Sequence, residues 1–240
     1  MSHEFASPHR FAAIARAALP VAAIAAAALL GLGLWLALGH SPEDYQQGAF
    51  VRIMYVHVPA AWLAMGIYSA MALSSMAWLI WRHPVADMIA RSSAPVGAVF
   101  CAICLITGMI WARPMWGAWW VWDARLTSML VLFFLYVGYM LLAKAADDAE
   151  KSAMPLACLA LIGAVNLPII KFSVEWWNSL HQPASVFRSG GASLHSTMLA
   201  PLMVMALAFL LTYVTLLLMS VQTELWEKKY RRAMRKLQRG

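Results

Sequence analysis

Residues 92–112 read Ser92-Ser-Ala-Pro-Val-Gly-Ala-Val-Phe-Cys-Ala-Ile-Cys-Leu-Ile-Thr-Gly-Met-Ile-Trp-Ala112 and contain no Asp, Glu, Lys or Arg. A helix of about 20 apolar residues crosses the roughly 30 Å hydrocarbon core of a bilayer, and this run has that length. Uncharged runs at 17–42, 53–81, 126–143, 152–170 and 189–223 repeat the pattern. With 62% hydrophobic and 12% charged residues and a mean hydropathy of +0.68, the chain lies outside the range of soluble domains. These observations predict an all-α polytopic membrane protein, a single membrane domain over 1–240. Its six transmembrane helices are placed at about 17–39, 57–81, 92–112, 126–144, 152–171 and 196–220, followed by a cytoplasmic basic tail at 221–240. The first apolar stretch is too long for the core of a cleavable signal, so it is read as a retained helix.

The net charge of +7 carries no nucleic-acid signal, because the excess sits in the tail as Lys228, Lys229, Arg231, Arg232, Arg235, Lys236 and Arg239. Such a tail suits anionic lipid, with a helical start at Glu224–Lys228. Counted over alternate connections, thirteen Lys and Arg fall on the side of the termini and five on the other. Positive charge is retained on the cytoplasmic side, so both termini are expected there. The second helix is expected to open at His57, with Pro59 in its first turn. Arg82, His83, Asp87 and Arg91 are read as an inner loop. Cys101 and Cys104 are read as apolar filler in mid-helix, and the absence of a C-x-x-C-H motif excludes a c-type cytochrome.

The outer connection after the third helix holds five of the twelve tryptophans, between Trp111 and Trp122. If it is helical after Pro114, Trp116, Trp119, Trp120 and Asp123 share one face of an amphipathic segment, an indole shelf ending in a carboxylate. An interfacial aromatic belt is the plainer reading, but belts distribute single tryptophans over many helix ends. The same outer side holds His40, His57, His181 and His195, with Arg52, Arg113, Arg125 and Arg188. Trp62 follows His57 in sequence, and Trp176 and Trp177 precede His181. Haem is one ligand that uses all three features: imidazoles for iron, indoles for the porphyrin face and guanidinium groups for the propionates. For Arg52 and Arg125 a lipid-phosphate contact, or an Asp123–Arg125 pair, remains an alternative.

Trp116-Gly-Ala-Trp-Trp-Val-Trp-Asp-Ala-Arg-Leu-Thr127 closely resembles the tryptophan-rich "WWD" signature of haem-handling membrane proteins. Tyr55-Val-His57-Val-Pro-Ala-Ala-Trp62 and Trp176-Trp-Asn-Ser-Leu-His181-Gln182 resemble the flanking motifs of the cytochrome c maturation protein C, or haem exporter protein C, family. The resemblance covers most of the chain. It implies a multi-pass protein of the bacterial inner membrane that holds haem b at the periplasmic surface. His57 and His181 would be the axial ligands, and Trp116, Trp119, Trp120, Trp122 and Asp123 the haem-binding segment; Arg52 and Arg125 are our own candidates for the propionates. It also implies delivery of haem to a periplasmic haem chaperone, cytochrome c maturation protein E. The further implied partners are an ABC-type ATPase, its membrane subunit and a small single-helix membrane subunit. Such a protein is a carrier, not a stand-alone enzyme, with a ligase-like part in chaperone attachment left open. His195 has no assigned role. The rival readings are a permease subunit of a small-molecule transporter, an aromatic cage for a quaternary ammonium compound, and a cytochrome c synthetase. The last is disfavoured by the short outer segments.

Overall fold

The computed structural model describes residues 8–146, 149–188 and 190–238. Asp147 and Asp148 of the 144–151 connection, and Arg239 of the tail, lie outside the described residues. The helices are α1 Pro8–Trp35, α2 Met54–Trp81, α3 Pro84–Trp116, α4 Ala124–Ala145, α5 Ala149–Gly163, α6 Asn166–Trp176 and α7 Ser196–Leu237. Among the described residues six stretches are long and apolar enough to cross a membrane, α5 and α6 together making the fifth, Lys151–Trp176. We call the end carrying residues 41–53, 117–123, 177–188 and 190–195 the aromatic end, and the opposite end the basic end.

The helices outrun the uncharged stretches, because a hydrogen-bonded ladder does not stop where the hydrocarbon does. The expected loop at 82–91 shrinks to two residues. Arg82 closes α2 in the left-handed conformation, and the His83 side chain caps α3 by accepting from the Val85 N–H, with Pro84 in the first turn. Asp87 and Arg91 therefore lie on α3, paired at 2.8 Å one turn apart. The opening of α2 also differs from expectation. A 3₁₀ turn over Ala49–Ile53 leads straight into Met54, so His57 is already helical and Pro59 lies inside the helix. In the tail, helix continues past Lys228 to Leu237 in the 42-residue α7, supported by the Glu224–Lys228 and Glu227–Arg231 pairs. At about 1.5 Å per residue α7 is about 63 Å long, roughly twice the hydrocarbon thickness.

The core is centred on α2, where Tyr55, Ala60, Ala64, Ile67, Tyr68 and Met71 are buried against Cys101 and Cys104 of α3, Leu132 and Tyr136 of α4, and Met205 of α7. Both cysteines are buried free thiols, as filler requires. Buried hydroxyls have no water to turn to, so they bond to protein. Tyr136 donates to the Ala64 carbonyl at 2.7 Å, and Ser93 and Tyr213 pair at 2.9 Å. The fifth crossing breaks at Ala164–Val165. Restarting the helix at Asn166 brings Pro168, which has no N–H to donate, into the first turn of α6. The Asn166 side chain ties the restart to α4 by donating to the Ser128 carbonyl at 2.8 Å.

Candidate functional site

The tryptophan connection is not a helix. Gly117 ends α3 at φ 75°, a left-handed conformation open to glycine at no steric cost, and its N–H bonds the Arg113 carbonyl. Residues 118–123 then run without helical structure to Asp123, which caps α4 by accepting the Leu126 N–H at 2.8 Å. The expected single shelf of Trp116, Trp119, Trp120 and Asp123 is thereby corrected: a helix stop at Gly117 sends the side chains in different directions. Trp116, still on α3, meets the His181 ring edge-on at 4.8 Å. Trp120 packs edge-on to Trp122 at 5.4 Å and is half-buried, whereas Trp119 and Trp122 are exposed.

His57 projects from α2 onto α3. Its Nδ1 lies 3.0 Å from the Cys104 carbonyl and 3.1 Å from Thr107 Oγ1. The Thr107 hydroxyl spends its proton on the Ile103 carbonyl at 2.6 Å, so both groups facing Nδ1 are acceptors. Nδ1 therefore carries the hydrogen, and Nε2 is the bare nitrogen with no hydrogen-bond partner among the described residues. Gly108 makes the space: a Cβ there would sit 3.0 Å from His57 Cε1. Trp111 stands edge-on to the ring at 5.7 Å and is held by a bond from its Nε1 to Gln47 at 3.0 Å.

His181 sits in the connection after α6 and is oriented in the same sense. Its Nδ1 is 2.8 Å from Asp123 Oδ2, and Ser179 donates to that oxygen at 2.6 Å while accepting the His181 N–H at 3.1 Å. A carboxylate accepts, so Nδ1 again carries the hydrogen and Nε2 is left bare. Burial works to raise the Asp123 carboxyl, but the hydrogen bonds from Ser179, the Leu126 N–H and His181 outweigh it and hold the group below its usual range. Burial lowers His181 from its ordinary value against the opposing pull of Asp123, which keeps the imidazole neutral. His57 lies within electrostatic reach of both His181 and Arg125. Arg125 bonds Ser173 on α6 at 3.3 Å and the Gln182 carbonyl at 3.5 Å.

The structure thus brings His57, His181, Asp123, Arg125 and Trp116 together at the aromatic end. Arg52 makes no hydrogen bond to this group among the described residues; it donates to the Ser41 carbonyl at 3.3 Å beside the Ser41–Tyr55 hydroxyl pair. His195 has a structural task, capping α7 through the Thr197 N–H. Sequence reasoning missed Thr107, Gly108, Gln47, Ser173 and Ser179. Gly108, one of two glycines in the otherwise bulky α3, was the one available signal, since such glycines commonly mark close packing.

Among the described residues no cluster of three His, Cys, Asp or Glu could hold a bare metal ion. Two neutral imidazoles with bare Nε2 atoms instead suit an iron whose remaining positions are filled by a porphyrin. Among the described residues three buried donors lack an acceptor, and two of them, Arg52 Nε and Trp120 Nε1, lie at the aromatic end and are available to a ligand oxygen.

The family model described as "Heme exporter protein C" matches residues 1–236. The chain belongs to the heme exporter protein C family. It is 52% identical over 228 residues to the heme exporter protein C of Bradyrhizobium diazoefficiens, covering 95% of this chain and 86% of the relative. It is 46% identical over 220 residues to that of Escherichia coli K12, covering 92% and 89%. A ccmC-like mitochondrial protein of Marchantia polymorpha, named for cytochrome c biosynthesis, is 46% identical over 181 residues, covering 75% and 76%.

Proposed function

We propose that this chain is a haem-handling component of cytochrome c biogenesis. It binds haem b at the periplasmic surface of the bacterial inner membrane, with His57 and His181 as axial ligands, and passes it to a periplasmic haem chaperone. The observation that carries this reading is the matched pair of imidazoles: each gives its Nδ1 hydrogen to a fixed acceptor and keeps Nε2 bare. The names of the relatives support haem as an exported cargo and, in the case of the Marchantia polymorpha protein, cytochrome c biosynthesis as the setting. Arg125 beside the pair suits one propionate, and Arg52, with its unpartnered Nε, suits an anionic oxygen farther along the aromatic end. Trp119 and Trp122 offer exposed indole to a porphyrin edge or a docking partner. An ABC-type ATPase, its membrane subunit and a small single-helix subunit complete the assembly in this reading.

Haem supplies the chemistry of its iron and vinyl groups; the protein holds, orients and exposes it. A carrier that must release its cargo gains from a site at the rim of the bundle instead of inside it. The test is the visible spectrum of detergent-purified protein from haem-replete cells, beside His57→Ala and His181→Ala. A bis-histidine Soret spectrum in the wild type, altered in each variant, is the expected result. A wild type without haem, or a spectrum indifferent to both substitutions, would overturn the reading.

A further inference from the structure

The two imidazoles are oriented alike but are not equally supported. His181 gives its Nδ1 hydrogen mainly to a carboxylate oxygen of Asp123 at 2.8 Å, with the neutral Ser179 Oγ as a longer second acceptor at 3.2 Å. His57 shares its hydrogen between two neutral acceptors, the Cys104 carbonyl at 3.0 Å and Thr107 Oγ1 at 3.1 Å. The Cys104 carbonyl lies within the α3 ladder, so part of its lone-pair density is already committed to the backbone. A hydrogen bond to a charged acceptor is about twice as strong as one between neutral groups. It moves electron density into the ring and makes the opposite nitrogen a better donor to a metal.

We infer that the two histidines are unequal ligands by construction: His181, backed by Asp123, is the anchor, and His57 is the ligand that yields its place to an incoming one. The inference rests on the haem reading. The exchange is a substitution at iron in which the His57 Nε2 lone pair leaves and another donor's lone pair replaces it, with no change in oxidation state. Asp123 and Ser179 act as positioning residues. Ser179 competes with His181 for the same Asp123 oxygen, so it moderates the carboxylate's effect.

The experiment uses the full-length haem-loaded protein in detergent and reads the midpoint potential by spectroelectrochemistry, together with carbon monoxide as a probe of the exchangeable position. Asp123→Asn retains an oxygen to cap α4 but removes the charge. Loss of such a supporting partner costs about 10- to 100-fold in metal affinity. A tenfold loss falling on the ferric state alone raises the potential by about 59 mV for one electron. Ser179→Ala frees the Asp123 oxygen for His181 and shifts the potential the other way. A merely structural defect would not produce opposite signs. With carbon monoxide, the resonance Raman signature of the reduced wild type should coincide with that of His57→Ala and differ from that of His181→Ala. If Asp123→Asn fails to fold, the sign of the Ser179→Ala shift and the carbon monoxide comparison still decide. Equal potentials in all variants, shifts of one sign, or a wild-type adduct matching His181→Ala would overturn the inference while leaving bis-histidine binding intact. Absence of a bis-histidine spectrum in the wild type would remove the underlying reading instead.

Discussion

Replacing Gly108 by alanine adds one methyl group directly against a ligand-bearing ring. The new Cβ would stand 3.0 Å from His57 Cε1 and 3.5 Å from His57 Nδ1. Carbon atoms rest at about 3.5–4.0 Å, so the ring must retreat by a few tenths of an ångström. Its Nδ1 bonds, at 3.0 and 3.1 Å, are already close to the roughly 3.2 Å limit of good geometry, and a retreat of that size forfeits them or turns Nε2 away. Overpacking costs about 1–3 kcal/mol, which is about 5- to 150-fold in haem affinity when borne by the bound state. The fold should survive, because alanine in a helix gains about 1 kcal/mol over glycine and the ligand-free ring can move aside. Gly66→Ala and Gly138→Ala are the controls, since a Cβ at either position meets nothing within 4 Å. Haem titration of the three detergent-purified variants, each with its thermal melt, isolates the effect. If Gly108→Ala binds haem as tightly as the two controls, the assignment of His57 as a ligand held from α3 is wrong.

The remaining predictions concern protons and the helix stop. His181 lies below its ordinary value of 6.5, so its neutral form is favoured and is lost only as pH falls through its lowered folded value. Haem binding should therefore persist at pH 6.5 and decline under more acid conditions. Asp123 works to raise His181, so Asp123→Asn should move that decline to still lower pH, as read by the Soret band during acid titration. Asp123 itself is held below its usual range, and the stability it contributes is present above about pH 4 and lost as pH falls through its folded value. Gly117→Ala, at φ 75°, should cost about 1–2 kcal/mol, read as a lower melting temperature, and should disturb the Trp116–His181 contact.

The crossings were legible because charge exclusion from hydrocarbon is nearly absolute; their ends were not, because helix formation obeys a different rule from lipid contact. Asp87 and Arg91 are charged and still helical, and nothing in a hydropathy pattern separates that case from a loop. The end of α3 shows a competition between signals. The spacing of Trp116, Trp119, Trp120 and Asp123 suggested a helix face, while Gly117 marked a stop, and the stop prevailed. His57, His181 and Asp123 were readable as residues with work to do. The bond between Asp123 and His181 was not, since 58 positions separate them and only the packing of α4 against α6 closes the gap. The acceptors for His57 are a backbone carbonyl and a hydroxyl of α3, groups that nearly any helix offers and that no motif encodes.

The interruption at Ala164–Val165 has a mechanical side. Across it the ladder changes spacing, Val165 bonding Ile162 and Leu167 bonding Ala164, so the crossing is two rods with a joint. A jointed rod bends where its bonds are fewest. The outer rod, α6, holds 11 residues and is about 16 Å long, so a tilt of about 5° carries its tip about 1.4 Å. The segment bearing His181 hangs from that tip, whereas His57 rides on the uninterrupted α2. In the proposed haem site, one ligand is thus carried by a jointed crossing and the other by a continuous helix, so the angle of that joint would set the distance between them.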